Sequence, residues 1–440
     1  MKTITVREYS AFREGTQSGE HVNGYVTLKK STFEMLERFV LETNRQGEDG
    51  ALEIMSLSAR RGVGKIITVK NYVGVVTLND GTTIEILPKI YSAQAAEDNQ
   101  EARRLLVCML NTVYNVSPKN LQTASLDVAR MNVLEVFIRM FVDEVLHLTK
   151  AGLRSSYETL EDNLTCFKGK IQFSKHIRHN LAHKERVFVA YDEFTVNRPE
   201  NRLLKSTLAY LSAHTHSVQN KKNIKNLLAL FGDVELSANY DADFSRIVPD
   251  RNTKAYTTAL NWARVFLKRK SFTSFSGSTV SIALLFPMEK LFECYVPALM
   301  RRALAGQSCA MLSTQDARHH LFDVEKKCFL LKPDIVLNAG EKIFIMDTKW
   351  KRLNGDAALH YGISQGDMYQ MYAYYQKYRA VGSVESVTLI YPKTESTCSP
   401  VKYTDSVTGA TVNVHFIDMG TAEGSADSVR RLMQDYGIIP

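Results

Sequence analysis

The stretch "KPDIVLNAGEKIFIMDTKW", Lys332 to Trp350, constrains this chain more tightly than any other. Two short runs of Ile, Val, Leu and Phe flank "NAGE", and Asp334, Asp347 and Lys349 stand among them. Runs of that kind around a Gly-containing turn predict an antiparallel hairpin. With the turn centred between Gly340 and Glu341, Asp334 falls opposite Asp347. Side chains two apart on a strand share a face, so Asp347 and Lys349 point the same way. An exposed hairpin with outward polar alternation would explain Lys332, Asp334 and Lys349. It explains Asp347 less well, because that residue shares its face with Ile343 and Ile345. Two carboxylates so placed repel unless a cation lies between them. Oxygen ligands suit Mg²⁺, which keeps waters for a substrate to replace, and a nearby lysine can orient or deprotonate an attacking water. These are the parts of a metal-dependent phosphodiester hydrolase.

Two flanking helices add to this. "PMEKLFECYV" starts at Pro287, places Glu289 and Glu293 one turn apart, and turns Leu291, Phe292 and Tyr295 toward a core. Pro297 should kink or end that helix. Downstream, "SQGDMYQMYAYYQKY" puts Gln370 and Tyr374 on one helical face, before a strand-like "SVTLIYP". Plain amphipathic packing is the competing explanation for both helices, and for Tyr374 it is an equal one.

At 440 residues the chain exceeds one compact domain. The reading is a mixed α/β (α+β) multidomain protein in three segments. Residues 1–95 form a β-rich N-terminal domain, 96–275 a mainly helical middle region, and 276–440 the domain with the charged hairpin. "YVGVVTLNDGTTIEILPKI" predicts a hairpin turning at Asn79-Asp80-Gly81. "STFEMLERFVLETN" predicts a helix with a capping box of Ser31 and Glu34. "EARRLLVCMLNTVY", the run Leu134 to Leu148 ending near Gly152, and Asn201 to His214 keep a helical period. "SAQAAEDNQ" and "SFTSFSGSTVS" read as linkers. The net charge of +8 permits a polyanionic partner without requiring one. Six cysteines without paired spacing read as reduced thiols, mostly small core residues. No apolar leader or membrane-length run occurs, which points to the cytoplasm.

Some lookalikes fail. "ARRGVGKI", Ala59 to Ile66, has Ala and Ile where a phosphate loop needs Gly and Ser or Thr, so it reads as a basic turn between strands. His176, His179 and His183 lie at helical spacing, but interleaved Lys and Arg favour a basic surface helix over a zinc site.

The order helix with Glu, strand with Pro-Asp, strand with Asp-x-Lys, helix with Gln-x-x-x-Tyr, strand resembles the PD-(D/E)xK nuclease superfamily. That resemblance implies that Asp334 and Asp347 hold one or two Mg²⁺ ions and that Lys349 is the catalytic lysine. It also implies that Glu293 completes the metal site, with Glu289 the alternative, and that Gln370 and Tyr374 place the DNA strand. Upstream, "FKGKIQFSKHIRHNLAHKERVFVAYDEFTVNRPENRLLKSTLAYL", Phe167 to Leu211, resembles the McrC family of McrBC modification-dependent restriction systems. This family implies a nuclease subunit that binds a hexameric AAA+ GTPase, McrB, stimulates its GTP hydrolysis, and cuts double-stranded DNA. GTP then enters only through the partner, which also reads the 5-methylcytosine. About a hundred extra N-terminal residues depart from the short McrC pattern. Arg178, Arg186, Arg198 and Arg202 are unranked candidates to reach the partner's nucleotide. Two other readings stay open: a non-cleaving assembly factor with a vestigial nuclease fold, and a stand-alone repair nuclease, which the Phe167–Leu211 block disfavours.

Overall fold

The computed structural model describes residues 2–45, 54–89, 99–113, 131–248, 254–267, 270–271, 273–274, 280–306, 310–322, 327–394 and 399–440. It is a mixed α/β protein with several sheets. Its contacts define two compact units, Met1–Val136 with Ser271–Pro440, and Phe137–Lys270. The units cut across the expected segments 1–95, 96–275 and 276–440. The cause is strand pairing, which no local sequence pattern reports.

In the first unit, Tyr72–Leu78 and Thr83–Leu87 form the expected hairpin, with Gly81 at a φ of 83°. Thr3–Arg7 adds in parallel to Thr83–Leu87. On the other side Val280–Pro287 pairs antiparallel with Tyr72–Leu78, so a four-stranded sheet joins the first strand of the chain to the strand that opens its last segment. Gly74 makes that join possible: a Cβ there would lie 2.0 Å from the Leu284 carbonyl oxygen, and its φ is 132°. The buried Glu85 carboxylate secures the same sheet, accepting from Arg103 Nε at 2.8 Å, Thr5 Oγ1 at 2.7 Å and the Val133 N–H at 3.0 Å.

A five-stranded sheet lies beside it in the chain, ordered His21–Val22, Tyr25–Lys29, Ala11–Gly15, Gly64–Val69, Met55–Arg60. The false phosphate loop is its last turn, with Gly62 and Gly64 at positive φ. Helix Lys30–Arg45 packs Phe33, Leu36, Phe39 and Val40 into the core under these strands. It begins before Ser31, so the expected capping box does not form. The chain enters the helix straight from a strand, and Thr32 instead donates to Asp80 at 2.8 Å.

Val280–Pro287 leads directly into helix Met288–Ala303. This helix runs on through Pro297, which therefore does not end it. Next comes a six-stranded sheet ordered Ala310–Thr314, Ile335–Ala339, Lys342–Thr348, Ser383–Pro392, Thr411–Ile417, Val401–Thr404. The hairpin register is the expected one, with Ile335 opposite Met346 and Ala339 opposite Lys342. Lys342–Thr348 then pairs in parallel with Ser383–Pro392. Ile345, Val387, Leu389 and Val414 face helix Gln365–Tyr378 through Met371, Tyr374 and Tyr378. From the other face of the same strand, Phe344 stacks on Tyr436, with ring centroids 5.3 Å apart. Burying each large apolar side chain contributes about 1.5–3 kcal/mol, so a strand covered on both faces is held in one register.

The second unit contains helices Pro199–His214, Val218–Leu230, Tyr240–Arg246 and Thr257–Leu267. It also holds a three-stranded antiparallel sheet of Lys170–Ile171, Val187–Thr195 and Ser156–Leu164, which the helical reading of this region missed. Of its strand residues only the adjacent Val189 and Ala190 are buried, so the strands lack the half-buried alternation that marks a strand in sequence. Asn201 ties the unit together, donating to the Arg154 and Val196 carbonyls and accepting from Tyr256 Oη. The histidine helix ends at Asn180, so His183 leaves the expected helical spacing and pairs with Glu185 at 3.2 Å. The four described cysteines are free, and none is buried as expected: Cys108 and Cys328 are half-buried, and Cys166 and Cys294 are exposed. Cys309, Cys398 and most of both expected linkers lie outside the described residues. Among the described residues no helix is long and apolar enough to cross a membrane.

Replacing Gly74 with Ala should lower stability by about 1–3 kcal/mol, read as a reduced urea midpoint. An unchanged midpoint would mean the two strands can separate freely at that point.

Candidate active site

A cleft of about 410 Å³ opens where the hairpin ends, and it contains most of the residues the sequence singled out. Asp334 precedes the strand Ile335–Ala339 and Asp347 lies near the end of Lys342–Thr348, so the register sets them side by side. Both are buried, at 9% and 2% exposure.

Asp334 is fully held. Its Oδ2 accepts from the Thr348 N–H at 2.8 Å and the Thr348 hydroxyl at 2.7 Å, and its Oδ1 accepts from Gln315 Nε2 at 2.9 Å. Asp347 is not. Lys349 Nζ pairs with its Oδ2 at 2.7 Å, and that buried oxygen has no donor beyond this amine. Burial, and then the neighbouring Asp334, push the Asp347 carboxyl up to about 7.

Burial disfavours the charge on Lys349, but Asp347, Asp367 and Asp334 outweigh it and hold the amine above its usual range. The amine also donates to Gln370 Oε1 at 3.1 Å, and Gln370 Nε2 donates to Tyr374 Oη at 2.7 Å. Tyr374 is buried against the sheet, so a rigid residue fixes Gln370 and Gln370 fixes the lysine. Of the two helical acids, Glu293 is the one joined to Asp334, through the Gln315 carboxamide. Burial first, with the Asp334 charge added, raises its carboxyl above the usual range, against the pull of Lys290 at 2.6 Å. Glu289 lines the same cleft but is exposed.

Sequence reasoning missed several participants. Gln315 follows the strand Ala310–Thr314 and carries no motif. Asp367 lies one helical turn before Gln370, 3.9 Å from Lys349 Nζ and 3.0 Å from Lys351 Nζ. Its i, i+3 spacing from Gln370 was a usable signal. Glu8 lies 342 positions from Trp350, yet its Oε1 accepts from Trp350 Nε1 at 3.1 Å and its Oε2 from the Lys89 N–H at 2.8 Å. Burial pushes that carboxyl up to about 8. In the second unit, Arg198 pairs with Glu200 at 3.3 Å and Arg202 with Asp243 at 2.7 Å, whereas Arg178 and Arg186 are exposed.

Residues 67–392, about three quarters of the chain, match the family model described as McrBC 5-methylcytosine restriction system component. The chain belongs to the McrBC family. It is 21% identical over 307 residues to the type IV methyl-directed restriction enzyme EcoKMcrBC of Escherichia coli (strain K12), covering 66% of this chain and 84% of that one. Its fold resembles a chain of a solved Thermococcus gammatolerans assembly described as McrB AAA+ hexamers with bound McrC. The TM-score is 0.69 at 18% identity, across 99% of this chain and 100% of the other. A second structure, of the Thermococcus gammatolerans McrBC complex, matches with a TM-score of 0.52 at 18% identity, over 69% of this chain and 88% of that one. The cleft residues from Glu289 to Gln370 all fall inside the span matched by the McrBC model.

The Asp347 carboxyl titrates near 7 when folded, against an ordinary 3.8, so the folded protein holds this proton more tightly than the unfolded chain. Its contribution to stability therefore falls as pH rises between those values. Between pH 5 and pH 8, the melting temperature of metal-free Asp347→Asn should gain on that of the wild type by about 2 °C or more. A constant difference across that range would contradict the assignment.

Proposed function

We propose that this chain is the DNA-cutting subunit of a GTP-dependent, modification-dependent restriction complex, with a PD-(D/E)xK nuclease core in its C-terminal part. One observation carries the proposal: two buried carboxylates from paired strands and a lysine amine meet at one end of an open cleft.

The residues suit a hard divalent cation. Mg²⁺ commonly takes one or two protein carboxylates and completes its shell with waters and phosphate oxygens. Asp334 and Asp347 meet that need, and Glu293 assists. Among the described residues no three His, Cys, Asp or Glu side chains stand together at ligand spacing; the Gln315 carboxamide lies between Glu293 and Asp334. The buried Asp347 Oδ2 has one ion-pair partner, Lys349, and no further donor, which leaves it room to take a cation. When bound, the ion supplies a Lewis acid for the phosphate and a water of lowered pKa.

The chain's own groups do the rest. Thr348 fixes the orientation of Asp334. Lys349 is held protonated, so its task is to offset charge building on the phosphate and to orient water, more than to accept a proton. Gln370 and Tyr374 position that amine and the cleft wall beside the scissile strand. Lys290, Lys332 and Lys351 line the cleft and supply positive charge for flanking phosphates of double-stranded DNA.

Membership of the McrBC family, and a fold shared with a chain of an assembly of McrB AAA+ hexamers with bound McrC, support a hexameric AAA+ GTPase as partner. GTP turnover and recognition of methylated cytosine belong to that partner. Stimulation of turnover belongs to this chain.

In purified complex with partner, GTP and Mg²⁺, Asp347→Ala should abolish plasmid cleavage while GTP turnover persists. Cutting by that variant, or a wild-type complex that turns over GTP without nicking, would refute the proposal. Gln370→Ala, which frees Lys349 on one side, should slow cleavage by about tenfold or more.

A further inference from the structure

Gln315 is a neutral side chain set between two acids of the cleft, Asp334 and Glu293. It stands where Ala310–Thr314 leaves its partner strand, directly opposite Asp334, and its N–H donates to the Asp334 carbonyl at 3.0 Å. Its φ is 53°, a left-handed conformation that a side chain-bearing residue adopts only when its surroundings enforce it. The surroundings do enforce it. The next residue, Asp316, is clamped by Arg318 through Nε and a terminal nitrogen, at 2.8 and 2.6 Å, and by the Tyr378 hydroxyl at 3.0 Å. The strained backbone therefore delivers the carboxamide to one place.

At that place both Nε2 hydrogens are used. One goes to Asp334 Oδ1 at 2.9 Å and the other to Glu293 Oε1. The remaining oxygens of the two acids are also engaged, by Thr348 on Asp334 and by Lys290 on Glu293. Gln315 thus does for this pair what a cation would do, bridging two carboxylates, but without charge.

We propose that Gln315 is a placeholder for the metal: it holds Glu293 and Asp334 together in the ion-free protein and must give up those two bonds when an ion loads. The inference rests on reading the cleft as a metal centre. It makes Gln315 a positioning residue that weakens metal binding, and it distinguishes Glu293 and Asp334, bridged by a neutral carboxamide, from Asp347, which faces the Lys349 amine. By linkage, what stabilises the ion-free state opposes loading by the same amount.

The test is calorimetric titration of Mn²⁺ and Mg²⁺ into the full chain, for wild type, Gln315→Met and Gln315→Ala. Met keeps the length and removes both donors; Ala removes the side chain. Melting in EDTA is measured alongside. The expected result is metal binding tighter by about tenfold or more in both variants, equivalent to about 1.4 kcal/mol, with a lower melting temperature in EDTA. Unchanged affinity would overturn the placeholder role and leave the metal centre standing. Weaker affinity in both would instead make Gln315 a ligand through its carbonyl oxygen, and would overturn the proposal equally. No binding by any of the three proteins would overturn the metal centre itself.

Discussion

The rest of the structure serves one electrostatic problem, the burial of Asp334 beside Asp347. Like charges in a poorly solvated place are tolerated only where specific donors and cations surround them. Here the burden is divided unevenly. Asp334 is satisfied by Thr348 and Gln315, whereas Asp347 depends on a single amine. That imbalance leaves Asp347 the less satisfied of the two carboxylates and the cleft's most perturbed acid beside Asp334. The lysine that offsets it is held in turn by Gln370 and, through Gln370, by a buried tyrosine.

Holding that arrangement takes a rigid frame on three sides. One side is the strand Lys342–Thr348, covered on both faces by apolar side chains. A second is the helix Gln365–Tyr378, whose first turn carries Asp367 and whose next carries Gln370. The third comes from the far end of the chain. Pairing of Val280–Pro287 with Tyr72–Leu78 sets the start of the Glu293 helix, and Glu8 holds the indole of Trp350, the residue after the catalytic lysine candidate. The N-terminal strands are thus built into the support of the cleft and do not form a separate appendage.

The second unit separates its arginines by role. Arg198 and Arg202 are committed to acids within the unit: Arg198 shares the buried Glu200 with Arg154, and removing Arg202 would take from the buried Asp243 its ion-pair partner. Arg178 and Arg186 are exposed, as are Phe173, Ile177 and Leu181 close by in the sequence. This apolar and basic stretch falls inside the block that resembles McrC, which fits a surface that meets another protein.

Local sequence determined the hairpin, its register, and the approach of Asp334, Asp347 and Lys349, because a two-residue period and a turn position suffice to predict which side chains meet. The helical spacing of Gln370 and Tyr374, and the pair Glu289 and Glu293 one turn apart, were legible from the 3.6-residue helical period. Tertiary structure alone linked Glu293 to Asp334 through Gln315, brought in Glu8, and joined the first strands to the last domain. Those contacts join residues tens to hundreds of positions apart, through strand pairing and a left-handed backbone at Gln315. A periodic pattern reports only which face of an element is buried, not which element covers it.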